Sequence, residues 1–391
     1  MSNAILALNA GSSSIKFALF PRLDAAPSVR GELEERDGTV RMTASGTDAG
    51  PSVDESWGDA GSDARLHRLL DWVETHLGAD RLAAVGHRIV HGGIHFRDPV
   101  LLTPNVLTQL GDLTPLAPLH QPGCLAPAHA IAAARPDLPQ VGCFDTAFHA
   151  TLPEVAWRYA LPRDLDPALR VYGFHGLSFE HVARRLREEA PTLAGGRVVA
   201  AHLGSGASLC AMHDGRSVDT TMGFSALDGL VMGTRTGTLD PGVLLYLLQE
   251  KGLDAQALQT LLYHRSGLLG VSGIAADVRT LTESRAPEAA EALGLFCFRA
   301  AKLAAGMAAS LGGLDGIVFT GGIGEHVPAI RAAICARLEW LGVTLDPSLN
   351  AHVTGRISTP GSRVAIWVIP ADEEASIARH TAGFLGMRTT E

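Results

Sequence analysis

Hydrophobic positions along the chain alternate between two periods and predict an α/β architecture. Short apolar runs of strand length occupy residues 5–8, 83–90, 141–144, 198–201 and 317–320. Elsewhere apolar residues return every three or four positions, which predicts helices over residues 66–77 and about 287–311. Strands that alternate with helices along a chain are typical of α/β folds.

Turn residues suggest how these elements are connected. Asp37 and Gly38 suit a tight hairpin turn between strands over residues 31–35 and 39–42. Residues 43–63 are rich in Gly, Ser and Asp, so we expect an exposed loop there. Prolines cluster within residues 148–167, which we interpret as the boundary between two domains.

Two glycine- and serine-rich segments follow apolar strands in closely similar settings. They cover residues 9–16 (NAGSSSIK) and 202–208 (HLGSGAS). Small residues let a backbone approach an oxyanion, while N–H and hydroxyl groups donate hydrogen bonds to it. Aligned, the segments share identities at four pairs of positions: Ala7/Ala200, Gly11/Gly204, Ser12/Ser205 and Ala18/Ala211. The similarity predicts a duplicated fold whose two hairpins hold a polyphosphate.

Composition narrows the function classes. The chain has 391 residues and is long enough for two domains. Its net charge of −9 and the absence of a basic run argue against nucleic acid as a partner. Five cysteines without CxxC spacing favour free thiols over a disulfide framework or a zinc site. We find no signal peptide and no uninterrupted apolar run of membrane-spanning length, so we expect a cytoplasmic protein without a membrane partner.

Charged residues lie at the ends of predicted strands and beside glycine turns, where they could meet a ligand. Neither the P-loop motif nor the Rossmann GxGxxG arrangement is present, so phosphate binding must depend on the two hairpins. Arg235 lies in residues 232–237 (MGTRTG), whose glycines leave room for a ligand near the guanidinium. The charged candidates are Lys16, Arg88, Asp145, Arg235, Asp277 and Arg279.

These motifs together resemble the acetate kinase family, within the acetate and sugar kinase/Hsp70/actin superfamily. The resemblance covers nearly the whole chain through residues 9–16, 86–93, 144–149, 172–176, 202–204, 232–235, 277–279 and 319–325. It implies an α/β fold of two duplicated ribonuclease H-like, actin-like ATPase domains with an active-site cleft between them. The first domain would span residues 1–150, joined by a C-terminal helix over about 373–391. The second, residues 151–372, would carry the nucleotide site.

The implied reaction is the reversible transfer of a phosphoryl group from ATP to acetate, which gives ADP and acetyl phosphate. Acetate is ionised at neutral pH, so its attack requires no general base. The obstacle is the repulsion between two anions, which positive charge and in-line positioning overcome.

The resemblance assigns catalytic roles to four residues. Arg88 would bind the acetate carboxylate, and Arg235 the transferring phosphoryl group. His175 would donate a hydrogen bond to the transition state. Asp145 would orient an arginine or the shell of Mg²⁺ (or Mn²⁺).

The resemblance also implies binding residues. Asn9 and Glu373 match the family's metal site, with Asn9 acting indirectly through water, and Val90, Leu119 and Phe174 match its pocket for the acetate methyl group. Contacts to ATP or ADP would come from Ser12, Ser14, Lys16, His202, Gly204, Ser205, Gly206, Asp277, Val278, Arg279, Gly321, Gly322, Ile323, Gly324 and His326. Family members form homodimers, and we expect one here.

The chain departs from the family pattern at six positions and leaves two alternatives open. The departures are Ser205 and His326 for Asn, Ala226 for Pro, Asp228 for Glu, Thr238 for Asp and Phe179 for His. Alanine in the acid pocket keeps a propionate kinase possible and, less so, a butyrate kinase. An ATPase module like actin or Hsp70 would need no acid site, so Arg88 argues against that class.

Overall fold

The chain folds into two compact units. The computed structural model describes residues 3–11, 14–21, 26–36, 38–46, 52–58, 62–77, 80–352 and 354–387. Ser12 and Asp37 therefore lie outside the described residues. One unit comprises Met1–Phe148 with Asp372–Glu391, and the other His149–Ala371. The domain limits at residues 150 and 372 stay predictions of the resemblance.

The first unit is built on an eight-stranded sheet in the order β5-β4-β3-β2-β1-β6-β8-β7. Strands β1, β6 and β8 run parallel, whereas β1 to β5 pair antiparallel with their neighbours. Its strands are β1 (Asn3–Ala10), β2 (Ser14–Phe20), β3 (Val29–Arg36), β4 (Thr39–Gly46), β5 (Val53–Ser56), β6 (Arg81–Ile89), β7 (Val100–Leu101) and β8 (Gln140–Phe144). Its helices are α1 (Ser62–Leu77), α2 (Pro104–Gly111), α3 (Gln121–Ala134) and the C-terminal helix (Glu373–Phe384).

The loop expected over residues 43–63 is wrong in part. Strand β4 continues to Gly46, and β5 pairs with it. Val40, Met42 and Ala44 alternate and are buried against the core beneath the sheet, which is the period of a half-buried strand. The loop was predicted from the content of Gly, Ser and Asp, and the polar and small residues on the other face of the strand made the alternation hard to recognise.

The second unit is built on a six-stranded sheet in the order β11-β10-β9-β12-β14-β13. Its strands are β9 (Arg197–Leu203), β10 (Ala207–His213), β11 (Arg216–Thr220), β12 (Gly316–Thr320), β13 (Gly355–Arg356) and β14 (Ala365–Val368). Its helices are α4 (Glu154–Trp157), α5 (Gly176–Glu189), α6 (Pro191–Ala194), α7 (Pro241–Gln249), α8 (Ala255–His264), α9 (Gly267–Ser272), α10 (Val278–Glu283), α11 (Pro287–Ser310), α12 (Gly321–His326) and α13 (Pro328–Ala336). The strands and helices predicted from periodicity are therefore present.

The two sheets share a five-stranded core. The order β3-β2-β1-β6-β8 in the first repeats as β11-β10-β9-β12-β14 in the second. In each, an antiparallel hairpin precedes two parallel strands. The expected duplicated α/β fold is confirmed, and the similar hairpin sequences occupy equivalent places, β1–β2 and β9–β10.

Helix α11 lies at the core of the second unit. Among the described residues it is the one helix long and apolar enough to cross a membrane by length and composition. Its side chains Ala292, Phe296 and Ala300 are buried within the second unit's hydrophobic cluster. Their burial marks α11 as a core helix.

Candidate active site

The first unit gathers polar side chains where three neighbouring parallel strands end. Asn9 is near the end of β1, Arg88 is near the end of β6, and Asp145 directly follows β8. Because the carboxyl ends of parallel strands meet at one edge of a sheet, these residues lie together. The C-terminal helix packs across the same strands and brings Glu373 to this edge. At Gly86 an added Cβ would lie 2.2 Å from Thr381 Oγ1, so this close packing needs glycine.

Arg88 and Asp145 form a buried ion pair. Arg88 donates to one carboxylate oxygen, Asp145 Oδ2, from Nε at 2.9 Å and from Nη2 at 2.6 Å. The Asp145 side chain is 1% exposed and that of Arg88 is 16% exposed. Asp145 Oδ1 is buried and has no hydrogen-bond partner among the described residues. The pair fixes the guanidinium while one carboxylate oxygen stays unsatisfied.

Burial and charge act on both partners. Burial alone would lower the pKa of Arg88, but the carboxylates of Asp145 and Glu373 raise that pKa above its usual value. Burial raises the pKa of Asp145, which Arg88 opposes and the charge of Glu373 reinforces. Arg88 is therefore a permanent cation whose guanidinium is held in place by Asp145 and whose charge the neighbouring carboxylates partly balance.

Acidic side chains surround Asn9 at the same edge. Asn9 Nδ2 donates to Glu373 Oε2 at 2.9 Å and to Glu374 Oε1 at 3.0 Å. Burial, with the neighbouring charge of Glu373, raises the pKa of Glu374. Arg30 pairs with Asp372 at 2.6 Å and with Glu374 at 3.5 Å. Sequence reasoning missed Glu374 and Arg30, although the run of three acids that opens the C-terminal helix was a visible signal.

The predicted metal residues offer oxygen ligands only. No group of three or more His, Cys, Asp or Glu side chains in the part of the chain that the structure describes is placed to hold a metal ion. Mg²⁺ is usually held by one or two carboxylates and completes its shell with water and substrate phosphates. The carboxylate of Glu373 fits that sparse donor set, whereas Asn9 Oδ1 accepts from Arg88 Nη1 at 3.4 Å, so Asn9 fits a contact made through a water of the shell.

In the first glycine-rich hairpin, the structure gives the contacts of Gly11, Ser14 and Lys16. Gly11 N–H donates to the Ser14 carbonyl at 2.8 Å, which narrows the turn. Lys16 is exposed on β2 opposite Asn9 of β1. Lys16 also lines a surface pocket of about 590 Å³ together with Arg30 and Glu374. The lysine thus lies on the sheet face that carries the acidic cluster.

The second unit also has a glycine-rich hairpin at the ends of its parallel strands, here beside a glycine-rich helix. Parallel strands β9 and β12 are neighbours, so the hairpin after β9 lies beside the helix α12 that follows β12. Gly321 has a φ of 77°, and an added Cβ would lie 2.8 Å from the Leu203 carbonyl oxygen. Both the conformation and the close approach therefore require glycine. Within the hairpin, Gly204 N–H donates to the Gly206 carbonyl at 3.0 Å.

His175 and Arg235 converge on this hairpin. A Cβ added to Gly206 would lie 3.2 Å from His175 Nε2 and 3.9 Å from Arg235 Nη1. His175 has left-handed backbone angles (φ 58°, ψ 26°) directly before α5. A non-glycine residue rarely adopts this conformation, which costs about 1–3 kcal/mol and often marks functional positions. The second unit therefore holds an imidazole and a guanidinium around a small-residue cradle.

Comparison with known proteins shows which family the chain belongs to. The model of the Acetokinase family matches residues 4–379. An acetate kinase of Rhodopseudomonas palustris is 51% identical over 97% of this chain and 98% of its own length. The chain belongs to the acetokinase family. A propionate kinase from Francisella tularensis (35% identical) superposes with a TM-score of 0.91 over 98% of this chain and 100% of its own. An acetate kinase from Porphyromonas gingivalis (35% identical) superposes with a TM-score of 0.85 over the same shares.

Two departures from the family pattern bond to each other. Thr238 Oγ1 donates to Asp228 Oδ1 at 2.8 Å, and Asp228 Oδ1 also accepts from Gly229 N–H at 2.7 Å. An acid at position 238 would place a like charge against Asp228. Threonine instead donates a hydrogen bond to Asp228, and nothing in the structure explains the change from glutamate to aspartate at 228.

Ala226 lies in the loop that contacts Arg235. Arg235 Nη1 donates to the Ala226 carbonyl at 2.9 Å. The contact uses the Ala226 backbone, so it does not depend on the Ala226 side chain. Alanine in place of proline at 226 therefore reduces the volume of the side chain but keeps the hydrogen bond that orients the Arg235 guanidinium.

The predicted nucleotide residues differ in their surroundings. Asp277 accepts from Thr280 N–H at 2.8 Å as the cap of α10, and this hydrogen bond lowers the Asp277 pKa. Val278 is buried in the core, whereas Arg279 and His326 are exposed. Ser205 is exposed at the hairpin tip, while Gly322, Ile323 and Gly324 lie within α12.

Arg331 is a buried residue that sequence reasoning missed. Its Nη1 donates to the carbonyls of Gly324 and Glu325, at 2.8 and 2.7 Å, at the end of α12. Its Nε donates to Asn350 Oδ1 at 2.9 Å, and Nη2 donates to the Asn350 and His352 carbonyls. Burial lowers the pKa of Arg331. The side chain ties the glycine-rich segment to a distant loop, which no local pattern could reveal.

The predicted residues of the methyl pocket belong to both units. In the first unit, Val90 is buried in a cluster with Cys124 and Phe144, and Leu119 is half-buried. Phe174 is buried in the core of the second unit. Their assembly into one pocket stays a prediction.

Proposed function

We propose that this chain is an acetate kinase that transfers the γ-phosphoryl group of ATP to acetate, reversibly and in line. The 51% identity to a curated acetate kinase over nearly the full length of both chains is the observation that carries the proposal. The buried Arg88–Asp145 pair supports it, because a guanidinium that Asp145 holds in a fixed orientation is prepared to bind a small carboxylate.

Arg88 would bind the acetate carboxylate. Asp145 would act through Arg88, because both of its hydrogen bonds from Arg88 fix the guanidinium. Acetate carries no proton to remove at neutral pH, so Asp145 has no need to act as a base.

His175 and Arg235 would stabilise charge that develops during transfer. Both side chains approach the position of Gly206, and a phosphoryl group in transit carries charge on its equatorial oxygens. Donors fixed before the reaction stabilise such charge without reorganisation. ATP would bind through the glycine-rich segments of the hairpins and α12.

Asn9 and Glu373 would hold Mg²⁺, which Mn²⁺ could replace. A bound divalent ion neutralises charge on phosphate oxygens. Removal of metal with EDTA should abolish turnover, and added Mg²⁺ or Mn²⁺ should restore it. The ion should protect wild-type protein, but not an Asn9→Ala variant, from thermal unfolding in the presence of ADP.

Trapping acetyl phosphate with hydroxylamine tests the reaction itself. With MgATP and acetate, we expect acetyl hydroxamate and ADP in equal amounts. ATP hydrolysis that ignores acetate would contradict the proposal and favour an ATPase module like actin or Hsp70.

A propionate kinase is the second candidate. The superposition on the propionate kinase of Francisella tularensis and the alanine at position 226 favour it. An Ala226→Pro variant should lower kcat/KM for propionate relative to acetate, because a methylene is worth about 1–3 kcal/mol in such pockets. An unchanged ratio would remove Ala226 from the determinants of acid size.

We also propose a cytoplasmic homodimer, as the family resemblance implies. Sedimentation equilibrium would give a mass near twice the 41.0 kDa of the chain. Fractionation of the source cells would place the activity with the soluble cytoplasmic enzymes.

A further inference from the structure

Two buried serines hold the imidazoles of His175 and His202. His175 Nδ1 lies 2.9 Å from Ser208 Oγ, and His202 Nδ1 lies 2.8 Å from Ser178 Oγ. Neither serine is exposed. The partners are exchanged between two elements: His175 and Ser178 come from the start of α5, whereas His202 and Ser208 face each other across the β9–β10 ladder.

The exchange aligns the two rings. Their centroids are 4.3 Å apart with an interplanar angle of 21°, so the imidazoles are stacked. Phe179 packs edge to face on His202, with centroids 6.5 Å apart, and is fully buried. Its ring offers no hydrogen bond to either imidazole.

The opposite nitrogens face the glycine-rich hairpin. A Cβ added to Gly204 would lie 3.6 Å from His202 Nε2, and one added to Gly206 would lie 3.2 Å from His175 Nε2. Each imidazole thus has a serine on its Nδ1 side and a hairpin glycine on its Nε2 side.

The hydrogen bond at Nδ1 decides what Nε2 can do. A neutral imidazole carries its proton on one nitrogen, and the partner of the other nitrogen sets which one. If serine donates to Nδ1, the proton lies on Nε2, which becomes a donor. If Nδ1 donates to serine, Nε2 is an acceptor and would repel phosphate oxygens.

We propose that Ser208 and Ser178 are positioning residues that donate to Nδ1 and so keep His175 and His202 as Nε2–H donors facing the hairpin. The inference rests on the proposed phosphoryl transfer. Stacking restricts the charge of the rings, because two imidazolium charges at this separation would repel each other, so at least one ring stays neutral and adopts one of the two tautomers.

The first test compares Ser208→Ala and Ser178→Ala with a matched control, Ser217→Ala. Ser217 is equally buried and lies 2.8 Å from His149 Nδ1, but the other nitrogen of His149, Nε2, is already bonded to the Phe174 carbonyl at 3.0 Å. Ser208→Ala should lower kcat about 10- to 100-fold with little change in the KM of acetate, as loss of an orienting partner does elsewhere. Ser208→Thr, which keeps the hydroxyl, should restore most of kcat, and Ser217→Ala should stay near wild type.

The second test reads the tautomer without turnover. In ¹⁵N-histidine-labelled protein, two-bond ¹H–¹⁵N correlation spectra distinguish Nε2–H, Nδ1–H and imidazolium rings, and His175→Gln and His202→Gln assign the signals. We expect Nε2–H for both rings in wild type and a change at His175 alone in Ser208→Ala. Nδ1–H rings in wild type, or wild-type kcat in Ser208→Ala, would overturn the inference. Wild-type protein that makes no acyl phosphate would instead refute the proposed function, whatever the tautomers.

Discussion

Replacement of Arg88 by alanine should both destabilise the folded protein and weaken its binding of acetate. The variant removes both hydrogen bonds that Asp145 receives from Arg88 and leaves a buried carboxylate with no cation bonded to it. Breaking a buried ion pair on one side costs about 3–5 kcal/mol. Loss of the contact to acetate should cost about 1.5–3 kcal/mol, roughly 10- to 150-fold in KM.

A second change distinguishes these two effects. Arg88→Ala combined with Asp145→Asn removes the stranded charge, so unfolding free energy should recover in part while the KM of acetate stays high. Burial raises the pKa of Asp145 in the folded protein, so the cost of its charge is present at high pH and relieved as pH falls through that pKa. The gap in unfolding free energy between Arg88→Ala and wild type should therefore be smaller at pH 5 than at pH 8.

Urea unfolding and steady-state kinetics with MgATP in excess provide the two readouts. Arg41→Ala is a matched control, because Arg41 pairs with Asp54 at the surface, with side chains 61% and 57% exposed. It should leave both stability and KM near wild type. Wild-type stability in Arg88→Ala would refute the buried pair, and an unchanged KM of acetate would refute the role of Arg88 in binding the acid.

Three further predictions address other residues. His175→Ala and Arg235→Ala should each lower kcat about 100- to 1,000-fold and change the KM of ATP little, since both side chains would stabilise charge that develops during transfer. A wild-type kcat in either variant would show that its residue does not stabilise the transition state. Arg331→Met should reduce unfolding free energy by about 2–4 kcal/mol in urea, because several carbonyls lose their donor, and a loss below about 1 kcal/mol would show that they find others. Burial lowers the pKa values of His87 and His149 to about 4, so the folded state binds fewer protons than the unfolded state. Stability present above pH 6.5 should therefore fall toward pH 4, by up to about 3 kcal/mol for each histidine, and a flat urea profile would contradict their burial.

The part of the site that the sequence predicted best consists of charged residues at the ends of apolar strands. Arg88 and Asp145 could be predicted as neighbours because each lies where an apolar strand ends, and parallel strands end at one edge. His175 and Arg235 depended on motifs, since nothing in their local periodicity indicates that both approach Gly206.

Long-range partners could not be read from the chain. Ser208 and Ser178 look like ordinary buried positions until the ladder and α5 bring them to the two imidazoles. No acidic residue next to Arg331 in the sequence suggests that its charge is paired and its side chain buried. The carbonyls that it bonds to come from segments separated along the chain. The loop predicted over residues 43–63 was wrong at residues 43–46 and 53–56 because small polar residues can also fill the open face of an antiparallel strand.

A comparison of kcat/KM for acetate, propionate and butyrate, with saturating MgATP and hydroxylamine trapping, shows which acid this kinase phosphorylates. We expect kcat/KM to be about tenfold or more higher for acetate than for propionate or butyrate, which corresponds to about 1.4 kcal/mol. A value for propionate equal to or above that for acetate would contradict the assignment to acetate and point to the pocket at Ala226. The absence of acyl phosphate from all three acids, while MgATP still binds, would leave the fold standing without the proposed activity.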